Sequence, residues 1–227
     1  MYTLAELFAQ CDRHIVYEET ENKVNYQFKE EDDTLYIFFE PSEGKLDWKH
    51  NFQFGKQPYR KMTVPFKVHR GFCDCWKEIE LLIVRKIKET TVRNSKIDWK
   101  WQKIIIVGYS HGGALAMLCH ECCVFHRSDI IDNIKTIAFD GPRVFAGLWV
   151  SKKLKPRWKN FRLIRNHNDL VTHVPPKLFG YSHVGKIIHI GRWKLYGPIR
   201  SHFPQNIYDS LMKYKHNEDW ETSLFQK

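Results

Sequence analysis

A chain of 227 residues is long enough to bury one sizeable core, and with 43% hydrophobic and 15% aromatic residues, including eight Trp and fifteen Phe, it falls outside the disordered class. The formal net charge of +10 is spread over KQPYRK, KIDWKWQK and SKKLKPRWKN, which suits solubility or an anionic membrane surface; with no nucleic-acid motif beside it, no nucleic-acid partner is expected. The apolar runs IIIV and YIFF are far too short to span a membrane and MYTLAELFAQCDRHIVY lacks the layout of an export signal, so the expectation is a single domain over residues 1–227 in a cytoplasmic location.

In chain order, Leu4, Leu7, Phe8, Cys11 and Ile15 share one face of a first predicted helix. VNYQFKEEDDTLYIFFE reads as two strands around an acidic turn at Glu31 to Asp33, with Val24, Tyr26 and Phe28 alternating in the first. From Phe72 to Arg93, apolar residues at steps of three and four predict a long helix. KIIIVGY is a continuous apolar strand of the kind covered on both faces, and SHGGALAMLCHECCVFH reads as a buried helix. Within that helix Cys119, Cys122 or Cys123, and His126 fall on one face, a spacing open to a metal, but cysteine packs as a small buried hydrophobe and the segment is read as core with no metal. All six cysteines are read as reduced thiols. Strands are predicted at Ile134 to Phe139, Phe161 to Arg165 and Lys186 to Ile190, and a last helix from Pro204 to Tyr214. Strands alternating with helices give an α/β class, a mostly parallel central sheet covered by helices on both faces.

Gly108, Ser110 and Gly112 form G-x-S-x-G between the apolar strand and the buried helix. A sharp strand-to-helix turn lifts a serine hydroxyl above the sheet, small flanking residues let the backbone close, and the helix N-terminus points N–H groups at developing negative charge. A serine hydroxyl needs a base, and the base an acid to orient it, following the serine along the chain as acid and then histidine. Asp169, just beyond the strand that ends near Arg165, is the candidate acid. His173, His183, His189, His202 and His216 all follow it; His202 is favoured because it sits in a loop before the last helix, where Pro204 turns the chain, with His183 as its rival.

These segments resemble the class 3 lipase family. VGYSHGGALAML is similar to its nucleophile turn, IAFDGPRVF to its strand followed by G-x-P-R-V, NHNDLVTHVPP to its acid loop, FGYSHVGKIIHIG to the segment that follows, and KVHRGFCDCW to the start of its long helix; the likeness runs from Tyr36 to Leu211. The resemblance implies an α/β-hydrolase fold and a serine ester hydrolase acting on lipid acyl esters, with Ser110, Asp169 and His202 as triad and no metal or organic cofactor. It also implies an oxyanion hole built from Ser42 and the amide of His111, although Glu40 and Pro41 stand where the family has Arg-Gly, and Pro cannot take a glycine's positive φ. By the same resemblance, 43–54 occupies the place of a lid whose Leu46, Trp48, Phe52 and Phe54 lie among charged residues; the residues equally fit an ordinary surface loop with two buried aromatics. The altered oxyanion loop leaves an alternative, a catalytically impaired hydrolase fold that binds a membrane surface or a protein.

Overall fold

A computed structural model describes residues 2–12, 18–19, 24–41, 55–59, 66–147, 155–191, 197 and 199–225. In chain order the elements are α1 (Leu4–Asp12), β1 (Glu18–Glu19), β2 (Asn25–Glu31), β3 (Thr34–Phe39), β4 (Lys56–Tyr59), β5 (Phe66–His69), α2 (Arg70–Ile87), β6 (Thr90–Arg93), β7 (Lys96–Trp99), β8 (Lys103–Tyr109), α3 (His111–His126), β9 (Ile134–Phe139), β10 (Phe145–Ala146), β11 (Phe161–Asn166), β12 (Tyr181–Ser182), β13 (Lys186–Ile190), α4 (Pro204–Met212) and α5 (Trp220–Phe225).

Seven strands form the central sheet in the order β1-β2-β3-β8-β9-β11-β13, parallel from β3 onward and antiparallel at the β1-β2-β3 edge. The unbroken apolar runs follow from burial on both faces. Alternation sends Leu35, Ile37, Phe39, Ile104 and Ile106 into a core shared with α2 and α3, and Tyr36, Phe38, Ile105, Val107 and Tyr109 into a second core under α1, α4 and α5. A small antiparallel sheet, β12-β10-β5-β4, lies apart from the main one.

The first helix, the acidic hairpin and the strand predictions agree with these elements, while Ile15 lies outside the described residues. The helix predicted to reach Arg93 stops at Ile87, because Thr90, Thr91 and Val92 are β-branched and Asn94 and Ser95 adopt φ of 48° and 62°, the paired positive values of a two-residue hairpin. Arg127 anchors the base of that hairpin, fully buried and donating to the carbonyls of Ile87 and Trp101 at 2.9 Å each.

Helix α3 runs through the middle of the larger core, which is why nearly all of it is apolar or small. Two polar residues stand side by side in its middle. His120 is fully buried between the Thr136 hydroxyl (2.9 Å) and the Arg157 carbonyl (2.7 Å), and burial lowers it to about 4. Glu121 is fully buried against the Arg157 guanidinium, and burial outweighs that charge and raises it to about 7. The signs oppose. A histidine kept neutral contributes stability that is lost as pH falls from its unfolded value of about 6.5. A carboxyl whose folded value is raised loses stability as pH rises from about 4.5 toward that value. Glu121→Gln is therefore expected to gain stability relative to wild type, by up to about 1.4 kcal/mol per pH unit, as pH rises from about 4.5 to about 7. Urea unfolding at the two ends of that window checks it; a constant difference would mean that Glu121 is ionised throughout.

Candidate active site

The end of β8 places Ser110. Its backbone takes φ 54° and ψ −118°, a conformation side-chain-bearing residues rarely adopt, and its amide is fixed by the Phe139 carbonyl at 3.0 Å. Its own carbonyl receives the amides of Gly113 (3.0 Å) and Ala114 (3.3 Å), which starts α3. The turn closes only around glycine: a Cβ on Gly108 would lie 2.1 Å from the Gly112 carbonyl oxygen, and one on Gly112 would lie 2.3 Å from that of Phe39.

Asp169 follows β11 and is fully buried. Its Oδ1 accepts the Val171 amide at 2.8 Å, and its carbonyl accepts the Thr172 hydroxyl at 2.8 Å and lies 2.9 Å from His173 Nδ1. Arg143, from the G-P-R-V segment, ties this loop down, its guanidinium donating to the Pro175 carbonyl at 2.9 Å and also to that of His173.

His202 lies in a single turn of 3-10 helix before α4, whose first residue is Pro204. The turn is held by Asn166 Nδ2 donating to the Ser201 carbonyl at 2.8 Å, and by the Tyr109 hydroxyl donating to the His202 carbonyl. The Tyr109 ring lies 5.2 Å from the imidazole, centroid to centroid. His202 Nδ1 is 2.6 Å from Asp169 Oδ2 and Nε2 is 2.7 Å from Ser110 Oγ. Three residues 92 and 33 positions apart thus form one hydrogen-bonded chain at the carboxyl ends of the strands.

The other histidines are engaged elsewhere. His183 points Nε2 at the Thr172 carbonyl (2.6 Å), and burial lowers it to about 3; His216 faces Asp219; His189 lies on β13. Glu40 is buried, with its amide on the Asn25 carbonyl (3.2 Å) and its Oε2 accepting from Asn25 Nδ2 (2.8 Å). Ser42 and 43–54 lie outside the described residues. His111, the first residue of α3, is buried with its ring 5.5 Å from Phe72.

All six cysteines are buried free thiols, and burial holds Cys119, 3.9 Å from Cys123, well above the usual range. Among the described residues the one cluster with metal-ligand proximity is Asp140, Asp169 and His202, whose candidate atoms lie within 4.8 Å of one another. Those are the site's own side chains. Asp140 and Tyr109 are the members the sequence reading missed; the signal for Asp140 was an acid placed directly after the apolar run TIAF.

The sequence model of the family described as Lipase (class 3) matches residues 36–179. The chain is 29% identical over 159 residues to a lipase of Rhizomucor miehei, covering 67% of this chain and 40% of that protein. It is 28% identical over 137 residues to a secreted mono- and diacylglycerol lipase of Malassezia restricta, covering 57% and 41%. The solved structure of lipase II from Rhizopus niveus superposes with a TM-score of 0.61 at 21% identity, over 76% of this chain and 65% of that one, which shows the shared α/β-hydrolase fold. The chain thus spans about two fifths of the length of the relatives it matches by sequence. With its family model matched over more than half its residues, the chain belongs to the class 3 lipase family.

Proposed function

We propose that this protein is a serine ester hydrolase that cleaves acyl esters of lipids. The observation that carries the reading is the unbroken chain from Ser110 Oγ through His202 to the buried Asp169, with separations of 2.7 and 2.6 Å. Ser110 Oγ attacks the ester carbonyl carbon while His202 Nε2 takes its proton, and Asp169 holds the imidazole by its Nδ1–H and balances the imidazolium charge. The His111 amide, at the N-terminus of α3, meets the oxyanion; Ser42 is the second donor in this reading. As the tetrahedral intermediate collapses, Nε2 returns the proton to the leaving alkoxide and an acyl-Ser110 remains. Water, deprotonated by the same nitrogen, then releases the acid.

The surroundings of the site favour a lipid over a small soluble ester. Leu170 follows the acid and Ile199 and Phe203 flank the base, all exposed. Exposed Arg200 stands between Ile199 and Phe203. Apolar side chains with a cation among them suit contact with an anionic membrane surface, and the rim would seat the enzyme where its substrate is packed.

A fluorophosphonate probe is expected to label the wild type and not Ser110→Ala. A folded wild type that stays unlabelled would overturn the reading in favour of a catalytically impaired fold that binds a membrane surface or a protein.

A further inference from the structure

Asp140 follows β9 and lies beside Asp169 and His202. Its backbone takes φ 45°, with its amide donating to the Ile164 carbonyl at 2.8 Å, and its side chain is 1% exposed. Oδ1 accepts the Asn166 amide at 2.8 Å, and Oδ2 is buried with no hydrogen-bond partner among the described residues. A carboxyl oxygen of Asp140, one of Asp169 and a ring nitrogen of His202 lie within 4.8 Å of one another.

Two carboxylates that close together and out of water do not both ionise. Donors decide which of them keeps the charge. Asp169 receives the His202 Nδ1–H at 2.6 Å and the Val171 amide at 2.8 Å, whereas Asp140 receives the Asn166 amide alone. Burial and then the Asp169 charge push Asp140 well above the usual carboxylate range, and its single donor favours the proton there. The charged and titratable groups facing it are Asp169 and Arg165 from β11 and the loop after it, His202 from the turn before α4, and Tyr109 from β8; the Arg165 charge acts in the other direction and is the weaker influence.

We propose that Asp140 is a second acid of the site, a positioning residue that supports the Asp169 carboxylate and orients His202 in its place when Asp169 is neutralised. The proposal rests on the hydrolase reading above. In the wild type the protonated Asp140 carboxyl faces the Asp169 carboxylate within 4.8 Å, so the pair carries one negative charge. When Asp169 becomes an amide, the like charge disappears, Asp140 gives up its proton to solvent, and its carboxylate takes the imidazole Nδ1–H.

The test is kcat/KM on a soluble p-nitrophenyl ester for wild type, Asp140→Asn, Asp169→Asn and the double variant, with folding followed by thermal melts. Asp140→Asn is expected to cost at least about tenfold more in the Asp169→Asn background than in the wild type, and the residual activity of Asp169→Asn is expected to climb with pH as Asp140 ionises. An equal factor in both backgrounds would overturn the proposal. A second readout serves if the double variant does not fold: in the proton NMR spectrum of Asp169→Asn, the His202 Nδ1 proton stays strongly deshielded when a carboxylate still holds it, and its loss overturns the proposal. That signal does not depend on turnover, so failure of the hydrolase reading, seen as an unlabelled and inactive wild type, is distinguishable from failure of this one.

Discussion

His202→Ala is expected to lower kcat for a soluble ester by on the order of 10^4- to 10^6-fold with little change in KM. The imidazole is the one group that touches both other members, 2.7 Å from Ser110 Oγ and 2.6 Å from Asp169 Oδ2. Without it the hydroxyl stays protonated at neutral pH and the leaving alkoxide has no acid. KM is spared because this proton transfer belongs to the transition state rather than to substrate binding. Stability is expected to fall by no more than about 1–3 kcal/mol, the cost of one buried polar partner lost. Steady-state kinetics on a p-nitrophenyl ester measures the effect; retained turnover above a hundredth of wild type would show that another base serves Ser110.

The second large effect concerns backbone rather than chemistry. Gly108→Ala and Gly112→Ala are each expected to destabilise by about 3 kcal/mol or more, because the new Cβ would stand 2.1 Å from the Gly112 oxygen or 2.3 Å from the Phe39 oxygen. Both obstacles are main chain, one in the turn itself and one at the end of β3, so no side chain can swing aside. Gly141→Ala is the control, since its Cβ would meet the flexible end of Met117 at 3.2 Å and the Gly113 backbone at 3.3 Å. There the cost is expected to stay below about 1.5 kcal/mol. Urea unfolding of the three variants decides the matter, and a wild-type midpoint for Gly112→Ala would mean that the turn can open without penalty.

Much of this was readable from the sequence because it is local. The serine turn announces itself over five residues, Gly108 to Gly112, between a strand pattern and a helix pattern, and the apolar run KIIIVGY already states that both faces of β8 are covered. Asp169 and His202, which the structure brings together with Ser110, were legible as candidates through their order along the chain and their places after β11 and before α4. Choosing His202 over His183 by residue type alone was not possible; the difference lies in the Thr172 carbonyl that occupies His183. Asp140 escaped notice for a topological reason. Its place directly after β9 is local, but it approaches Asp169 only because β9 and β11 pair in parallel, with Phe139 opposite Ile164, a pairing that the local sequence does not state. The overrun of α2 into β6 has the opposite origin, a helical rhythm broken by three β-branched residues and a two-residue turn. Helix α5, six residues long, is too short for a periodic signal.

The left-handed backbone at Ser110 has one further thermodynamic consequence. A side-chain-bearing residue at φ 54° costs of order 1–3 kcal/mol that the rest of the fold must offset. Glycine would carry no such cost, so the substitution that removes the Ser110 hydroxyl is also one that relaxes the chain. If Ser110 is the nucleophile proposed above, stability and activity are opposed at this single position: variants chosen only for resistance to heat or denaturant are expected to drift toward loss of the hydroxyl.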